Sequence, residues 1–450
     1  MRVAPPPSEA TAMGPADGRT PGRPARVLRR LARWLGWGFL ALVGSGALLW
    51  LLNLEYMNRY WRLAVAQMRG ESQRADWYDP VDTVPGAAFT PLPRAATPAI
   101  APAFLNEARA YARATRSDGF LVWQGGAVQE ASYFNGHREA DLVASKSMAK
   151  MVVGILIGRA VAQGHIRSID QPVADFVTEW KGTPKATPTI RHFLWNSSGL
   201  TRFTYNDFAP WSLAMREYLS PHHERILIHE TRLEYPPGRE YDYSMITSDV
   251  LALVIERATG RRYAEYLGQE LLKPIGAAGG TVYVNRPGGL AHAGCCLNLP
   301  AESFLRLGIL LAQDGVWEGR RLLPEGWVRD TVTPSPANPH WGLHMWIGRP
   351  CVKRLRWFPE RAQPVGVLHS ECYLAPDLFL FDGAGHQAMW IVPSLDLVVL
   401  RFGPPPTRRP GLPGEFDNSR LPNTIIRGLK AARNAPATPP PPAGAATGGV

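Results

Sequence analysis

Cysteine is scarce in this sequence, and no spacing among its cysteines and histidines matches a zinc site. Only Cys295, Cys296, Cys351 and Cys372 occur in 450 residues. In "PHHERILIHE" the histidines miss the H-E-x-x-H interval, because Leu227 stands where the second histidine would be required. That stretch reads as an amphipathic surface segment, and no metal or cofactor is called for. Internal repeats are lacking too, which excludes solenoids and propellers. A basic surplus is missing where nucleic-acid binding would need it. The formal net charge is +11, but residues 1–33 carry seven Arg against Glu9 and Asp17, and residues 405–434 carry five Arg and one Lys against Glu415 and Asp417. These flanks hold nine of the eleven charges, so the region between them is nearly balanced. The basicity suits an anionic membrane surface better than a nucleic-acid groove.

Long apolar runs are absent with one exception. From Trp34 to Leu52, "WLGWGFLALVGSGALLWLL" contains no charged residue, and about 20 apolar residues suffice to span a bilayer. Arg26, Arg29, Arg30 and Arg33 precede it, which orients the N-terminus to the cytoplasm and the rest outside. A cleaved signal peptide is the other reading; the nearest small-residue site, Ala64-Val65-Ala66, is separated from the run by Glu55, Arg59 and Arg62, which makes a poor cleavage site and favours an uncleaved anchor. The expected organisation is a disordered basic tail (1–33), a single-pass inner-membrane anchor (34–54), a linker (55–97), an extracytoplasmic domain (98–432) and a disordered Pro/Ala/Gly tail (433–450). Outside the membrane disulfides are allowed. A Cys351–Cys372 bridge and plain buried thiols both fit.

Within the folded region, "FLVWQGGAVQEASYF" places two β-rich runs around Gly125-Gly126, a hairpin pattern. "KSMAKMVVGILIGRAVAQG" spaces Met148, Met151, Val152, Ile155 and Leu156 as a helix, with Ser145 as N-cap and Gly164 as stop. A mostly helical middle follows, including "SDVLALVIERATG" and "ESFLRLGILLAQDG". The end, "YLAPDLFLFDGAGHQAMWIVPSLDLVVLRFG", reads as two or three strands. Strands at both ends around helices predict an α+β domain whose terminal strands share one antiparallel sheet.

The chemistry centres on "SKSMAK". Ser147 has a lysine three residues on, and positions i and i+3 share a helix face, so Lys150 can reach the Ser147 oxygen while Lys146 points elsewhere. A serine hydroxyl needs a base to become a nucleophile, and a lysine serves once burial lowers its pKa. A helix N-terminus favours a developing oxyanion beside Ser147. The spacing alone is equally that of an ordinary helix start.

Other segments decide between them. "IRSIDQPVADFV", "TIRHFLWNSSGL", "YPPGREYDYSMITSDVLALVIERATG", "FLRLGILLAQDGVWEGRRLLPEGWV" and "DGAGHQAMWIVPSLDLVVL" follow in order. With "SMAK" they resemble the serine β-lactamase and penicillin-binding-protein-like hydrolases, above all the class C-like esterases and 6-aminohexanoate-dimer hydrolases. The resemblance implies a β-lactamase/transpeptidase-like fold and an acyl-enzyme on Ser147, with Lys150 as its partner. It implies Tyr243 as the catalytic tyrosine, with four residues between it and Pro237-Gly238, and Tyr241 as the nearby competitor. It further implies an oxyanion hole from the Ser147 and Ala384 N–H groups, and pocket walls from Gly383, Gly385, His386, Trp195, Trp341 and Trp346. A solvent-facing strand histidine is the other reading of His386. The expected substrate is a small ester, amide or short peptide. Met245 replaces the asparagine of β-lactamases, and no lysine occupies the K-T-G position, both of which argue against β-lactam hydrolysis. A cell-wall D-Ala-D-Ala carboxypeptidase-like peptidase and a non-catalytic binding protein on the same fold are the alternatives.

Overall fold

The near-continuous apolar runs at the C-terminal end become central strands because both of their faces are covered. A computed structural model of the chain describes residues 1, 3, 23–71, 74–202, 207–356, 366–406 and 414–434. Most of the expected N-terminal tail and nearly all of the 433–450 tail lie outside the described residues. The chain divides into an N-terminal unit, 1–58, and a large unit, 59–450. In the first, helix α1 spans Arg23–Leu52. Its Arg30–Leu52 part is long and apolar enough to cross a membrane, and none of it is buried. The helix thus starts about three turns before the apolar run, within the segment expected as tail, because Arg and Ala are good helix formers.

The elements that position the site follow in order: α2 (Leu54–Arg69), β1 (Val81–Val84), α3 (Pro102–Ala114), β2 (Gly119–Gln124), β3 (Ala127–Tyr133), β4 (Leu142–Ala144) and α4 (Met148–Ala162). Then come α5 (Ile190–Leu194), α6 (Leu213–Leu219), α7 (Ile246–Thr259), β5 (Gly280–Tyr283), β6 (Leu297–Pro300) and α8 (Ala301–Ala312). Strands β7 (Trp346–Ile347), β8 (Phe379–Gly383), β9 (Gln387–Val392) and β10 (Leu397–Phe402), then α9 (Arg420–Asn434), complete the set. The main sheet is antiparallel with order β3-β2-β10-β9-β8-β7, so the N-terminal hairpin and the C-terminal strands share it as expected. The α8 helix packs closely on this sheet because Gly308 has no side chain; a Cβ there would meet Val398 and Met389 at 2.7 and 2.9 Å. Helices α3 and α9 pack together.

A second sheet, β1-β5-β6-β4, supports the start of α4. Strand β1 belongs to the segment expected as a linker, pairing Val81–Val84 with Gly280–Tyr283. Leu63 and Ala66 of α2 are also buried. Four strand residues among prolines and glycines are too short a pattern to read against a linker. Apart from Lys150 and Arg159, helix α4 is apolar on every face, which suits a helix buried on every side. It packs on α7, and Gly158 lies so close to Trp327 that a Cβ would overlap the indole.

"PHHERILIHE" is a correction to the surface reading. His223, Ile226, Leu227 and Ile228 are buried, within a helical turn, His223–Arg225, that runs into a wider turn, Ile226–Glu230. Cys351 is bonded to Cys372, and Cys295 to Cys296, so no described cysteine is a free thiol.

Candidate active site

Strand β4 leads the chain into the site and α4 leads it out, with Ser147 at the junction as the N-cap residue, half-buried. Lys150 follows one turn later and is fully buried. Its Nζ lies 3.3 Å from Ser147 Oγ and donates to the Gly294 carbonyl at 2.6 Å. The same ammonium sits 4.9 Å from the centroid of the Tyr243 ring. Burial presses the Lys150 pKa down to about 7, against the opposing pull of the Asp249 and Glu217 charges. A lysine there is largely able to accept a proton at neutral pH, which an ordinary surface lysine is not.

Tyr243 is placed by the loop between α5 and α6. In "WNSSGL", Asn196 takes a left-handed φ of 51° and Gly199 one of 79°. The carbonyl of Asn196 accepts from Asp242 N at 2.7 Å, and the carbonyl of Ser197 accepts from Gly238 N at 2.7 Å. Gly199 must be glycine, since a Cβ would stand 2.2 Å from the Tyr235 carbonyl. These bonds zip the tyrosine segment to the loop. Burial raises the Tyr243 pKa, while a hydrogen bond with Ser147 opposes the rise. Trp341 and Trp346 pack against the phenol ring at centroid distances of 5.6 and 5.7 Å. Both are fully buried, so they hold Tyr243 from behind rather than forming an open wall.

The end of β8 closes the site. A Cβ on Gly383 would lie 2.7 Å from the Ser145 carbonyl and 3.1 Å from Ser147 N. Only glycine lets the strand come this near the nucleophile candidate. Ala384 follows it as the exposed first residue of the turn, and Gly385 adopts a φ of 81°. The turn is held by Arg401 on β10, whose Nη1 donates to the carbonyls of Gly385 and His386 at 2.8 and 2.9 Å. Nε of Arg401 donates to Ser117 Oγ at 3.0 Å. Sequence reasoning missed this buried arginine; a single charge inside the apolar run "LVVLRF" was the available signal.

Several sequence expectations differ. Ser145 does not cap α4 with its side chain; its hydroxyl donates to the carbonyl of Cys295 at 3.1 Å and anchors the 294–296 loop. Lys146, with a φ of 48°, stands directly beside Gly383 and is pressed to about 8 by burial. His386 does not face solvent from a strand. It lies in the turn, packed against Phe416 at 4.6 Å, and burial, then the Arg401 charge, lower its pKa to about 4. Trp195 ends α5 beside Arg191 and His192, and no described contact brings it to Ser147. A cleft of 980 Å³ lined by Arg74, His137, Arg138 and Asp141 reaches β4 but contains none of Ser147, Lys150 and Tyr243.

Sequence reasoning also missed His223, Asp249 and His292, which the fold brings together although their separations of tens of residues carry no ligand spacing. Asp249 Oδ1 accepts from Gly294 N at 2.9 Å, and the carbonyl of Gly294 is the acceptor for Lys150. One glycine therefore links the two polar groups.

A serine at a helix start, a buried lysine one turn on and a tyrosine beside both, on this sheet, define a serine hydrolase by class. The Beta-lactamase family profile matches residues 105–402, and the chain belongs to that family. It is 27% identical over 240 residues to 6-aminohexanoate-dimer hydrolase of Paenarthrobacter ureafaciens, covering 48% of this chain and 57% of that one. It is 28% identical over 155 residues to esterase EstB of Burkholderia gladioli, covering 31% and 38%. The chain thus spans less than two thirds of the length of these curated relatives. A solved Bacillus anthracis structure assigned as a 6-aminohexanoate-dimer hydrolase superposes with a TM-score of 0.63 at 18% identity, covering 82% of this chain and 95% of that one. That likeness shows the shared fold.

Proposed function

We propose that the protein is a membrane-anchored, extracytoplasmic serine hydrolase that cleaves a small ester or amide through an acyl-enzyme on Ser147. The observation that carries this reading is Lys150: fully buried, 3.3 Å from Ser147 Oγ and pressed to about 7. Neutral Lys150 takes the Ser147 proton as Oγ attacks the carbonyl carbon. Tyr243, over which the Lys150 ammonium lies, passes a proton to the leaving group, and water then frees the acyl group by the reverse relay. The N–H groups of Ser147 and Ala384 receive the oxyanion; the side-chain-free approach of Gly383 to Ser147 N supports that pairing. Gly383, Gly385 and His386 border the acyl group on one side.

Helix α1 supports the anchor, and the arginines before it support a cytoplasmic N-terminus with the hydrolase domain outside the inner membrane. The names of the two curated relatives support a small amide or ester as substrate. Met245 and the missing K-T-G lysine leave no cation or asparagine for an antibiotic carboxylate.

The test is a panel of p-nitrophenyl esters, short-chain amides and penicillin, run on the full chain in mild detergent alongside Ser147→Ala. Turnover of esters or amides that is lost in the variant supports the reading. A stable penicillin adduct on Ser147 would instead favour a peptidase, and no turnover with any substrate would favour a binding protein.

A further inference from the structure

Four buried side chains from four separate segments converge behind the Lys150–Gly294 contact. Glu217 comes from α6, His223 from the turn after it, Asp249 from the first turn of α7, and His292 from the loop between β5 and β6. All four are 0% exposed. His223, Asp249 and His292 each offer a donor atom, and these atoms lie within 4.8 Å of one another. The two imidazoles stack with centroids 4.3 Å apart, and the Glu217 carboxyl lies against that of Asp249.

The hydrogen bonds of this group do not close. Asp249 is served by Gly294 N at 2.9 Å and by His292 Nδ1 at 3.3 Å. Both nitrogens of His223 and Nε2 of His292 meet no hydrogen-bond partner, and the Glu217 carboxyl has only that of Asp249 to share a proton with. Buried polar atoms are normally paired, and each orphan needs its own explanation. Three unpartnered ring nitrogens stand beside two adjoining carboxyls, and each neutral imidazole brings one unused lone pair; together they point to something that accepts electron pairs.

We propose that His223, His292, Asp249 and Glu217 form a divalent-metal site of the zinc class. Two neutral imidazoles and two carboxylates would balance a dication, which removes the main objection to burying charge here. A mixed nitrogen and oxygen donor set suits Zn²⁺ or a neighbouring first-row ion; Ca²⁺ and Mg²⁺ take oxygen ligands and, for Mg²⁺, retain water. His223, Asp249 and His292 supply three ligands, and with Glu217 turning from Asp249 to the ion as the fourth no position would stay open, which makes the ion structural. It would tie α6, the His223 turn, α7 and the β5–β6 loop together. Through Asp249 it would fix Gly294, the residue that holds Lys150. This inference stands apart from the reaction proposed above, since it needs neither Ser147 nor a substrate.

The experiment strips the purified full chain with a chelator, reloads it with Zn²⁺ or Co²⁺, and measures metal content, melting temperature and visible absorption. One Zn²⁺ per chain, a melting temperature about 5 °C or more higher than the stripped protein, and the visible bands of four-coordinate Co²⁺ are expected. Glu217→Gln and His223→Gln should each weaken Co²⁺ affinity by about 100-fold, while Ser147→Ala should bind it as the wild type does. Should those two variants fail to fold, the wild-type metal content, melting shift and Co²⁺ spectrum still decide. No retained Zn²⁺ and no melting shift in folded wild-type protein would overturn the proposal, as would Co²⁺ bands that survive unchanged in a folded His223→Gln variant.

Discussion

Two polar groups share one buried glycine. On the carbonyl of Gly294 sits Lys150, with Ser147 one turn behind it; on the amide of Gly294 sits Asp249, with His292 and His223 beyond. The first group is partly open, its serine half-buried, and its partners are satisfied by one another. The second is sealed, and several of its atoms meet no partner. The difference teaches what each is built for. A reacting centre must admit a substrate and keep one base short of a proton, whereas a sealed set of lone pairs serves a ligand that stays.

Substitutions can separate the two. Ser147→Ala has the largest expected effect: kcat/KM for the ester falls by about 10⁴-fold or more, with Co²⁺ affinity unchanged. Loss of metal in that variant would break the separation. Lys150→Met, nearly equal in volume, should lower kcat/KM by about 10³-fold. In the wild type, the charged form of Lys150 is the inactive one and burial holds its pKa at about 7. Activity should therefore rise with pH through about 7, and a stopped assay from pH 5 to 9 reads that limb. A flat profile there would remove Lys150 as the base.

Arg401→Leu acts on the first group alone. It strips the Gly385 and His386 carbonyls of their donor, and the expected cost is about 3 kcal/mol in denaturant unfolding. Gly383→Ala is smaller in energy but more local. Its Cβ would push on the Ser145 carbonyl and Ser147 N, so kcat should drop about 10²-fold while the melting temperature moves little and metal binding not at all.

How far the sequence could be read follows the same division. Ser147 and Lys150 are three residues apart on one helix, so their contact is written in local spacing, and Tyr243 and the Gly383–Gln387 turn followed in family order. The shared sheet of terminal strands was legible from their apolar runs. What was not legible is non-local. His223, Asp249 and His292 meet only because α6, α7 and the β5–β6 loop pack together. "PHHERILIHE" read as surface because its charges were visible and its burial was not. Trp341 and Trp346 were expected as pocket walls, and they pack instead, fully buried, against the Tyr243 ring; Trp195, placed by the same nearness in sequence, stacks on its own helix's Arg191. Strand β1 was lost in a Pro- and Gly-rich stretch because four residues cannot show a period.

The acyl-enzyme is the claim on which the function rests, and trapping it is the most direct measurement. The wild-type chain is mixed with a p-nitrophenyl ester, quenched in acid within the first turnover, digested and mapped by mass spectrometry. The account predicts the acyl mass on the peptide containing Ser147, at up to one per chain and absent from Ser147→Ala. An acyl group mapped to any other residue, or product release with no adduct at Ser147 at any quench time, would contradict it.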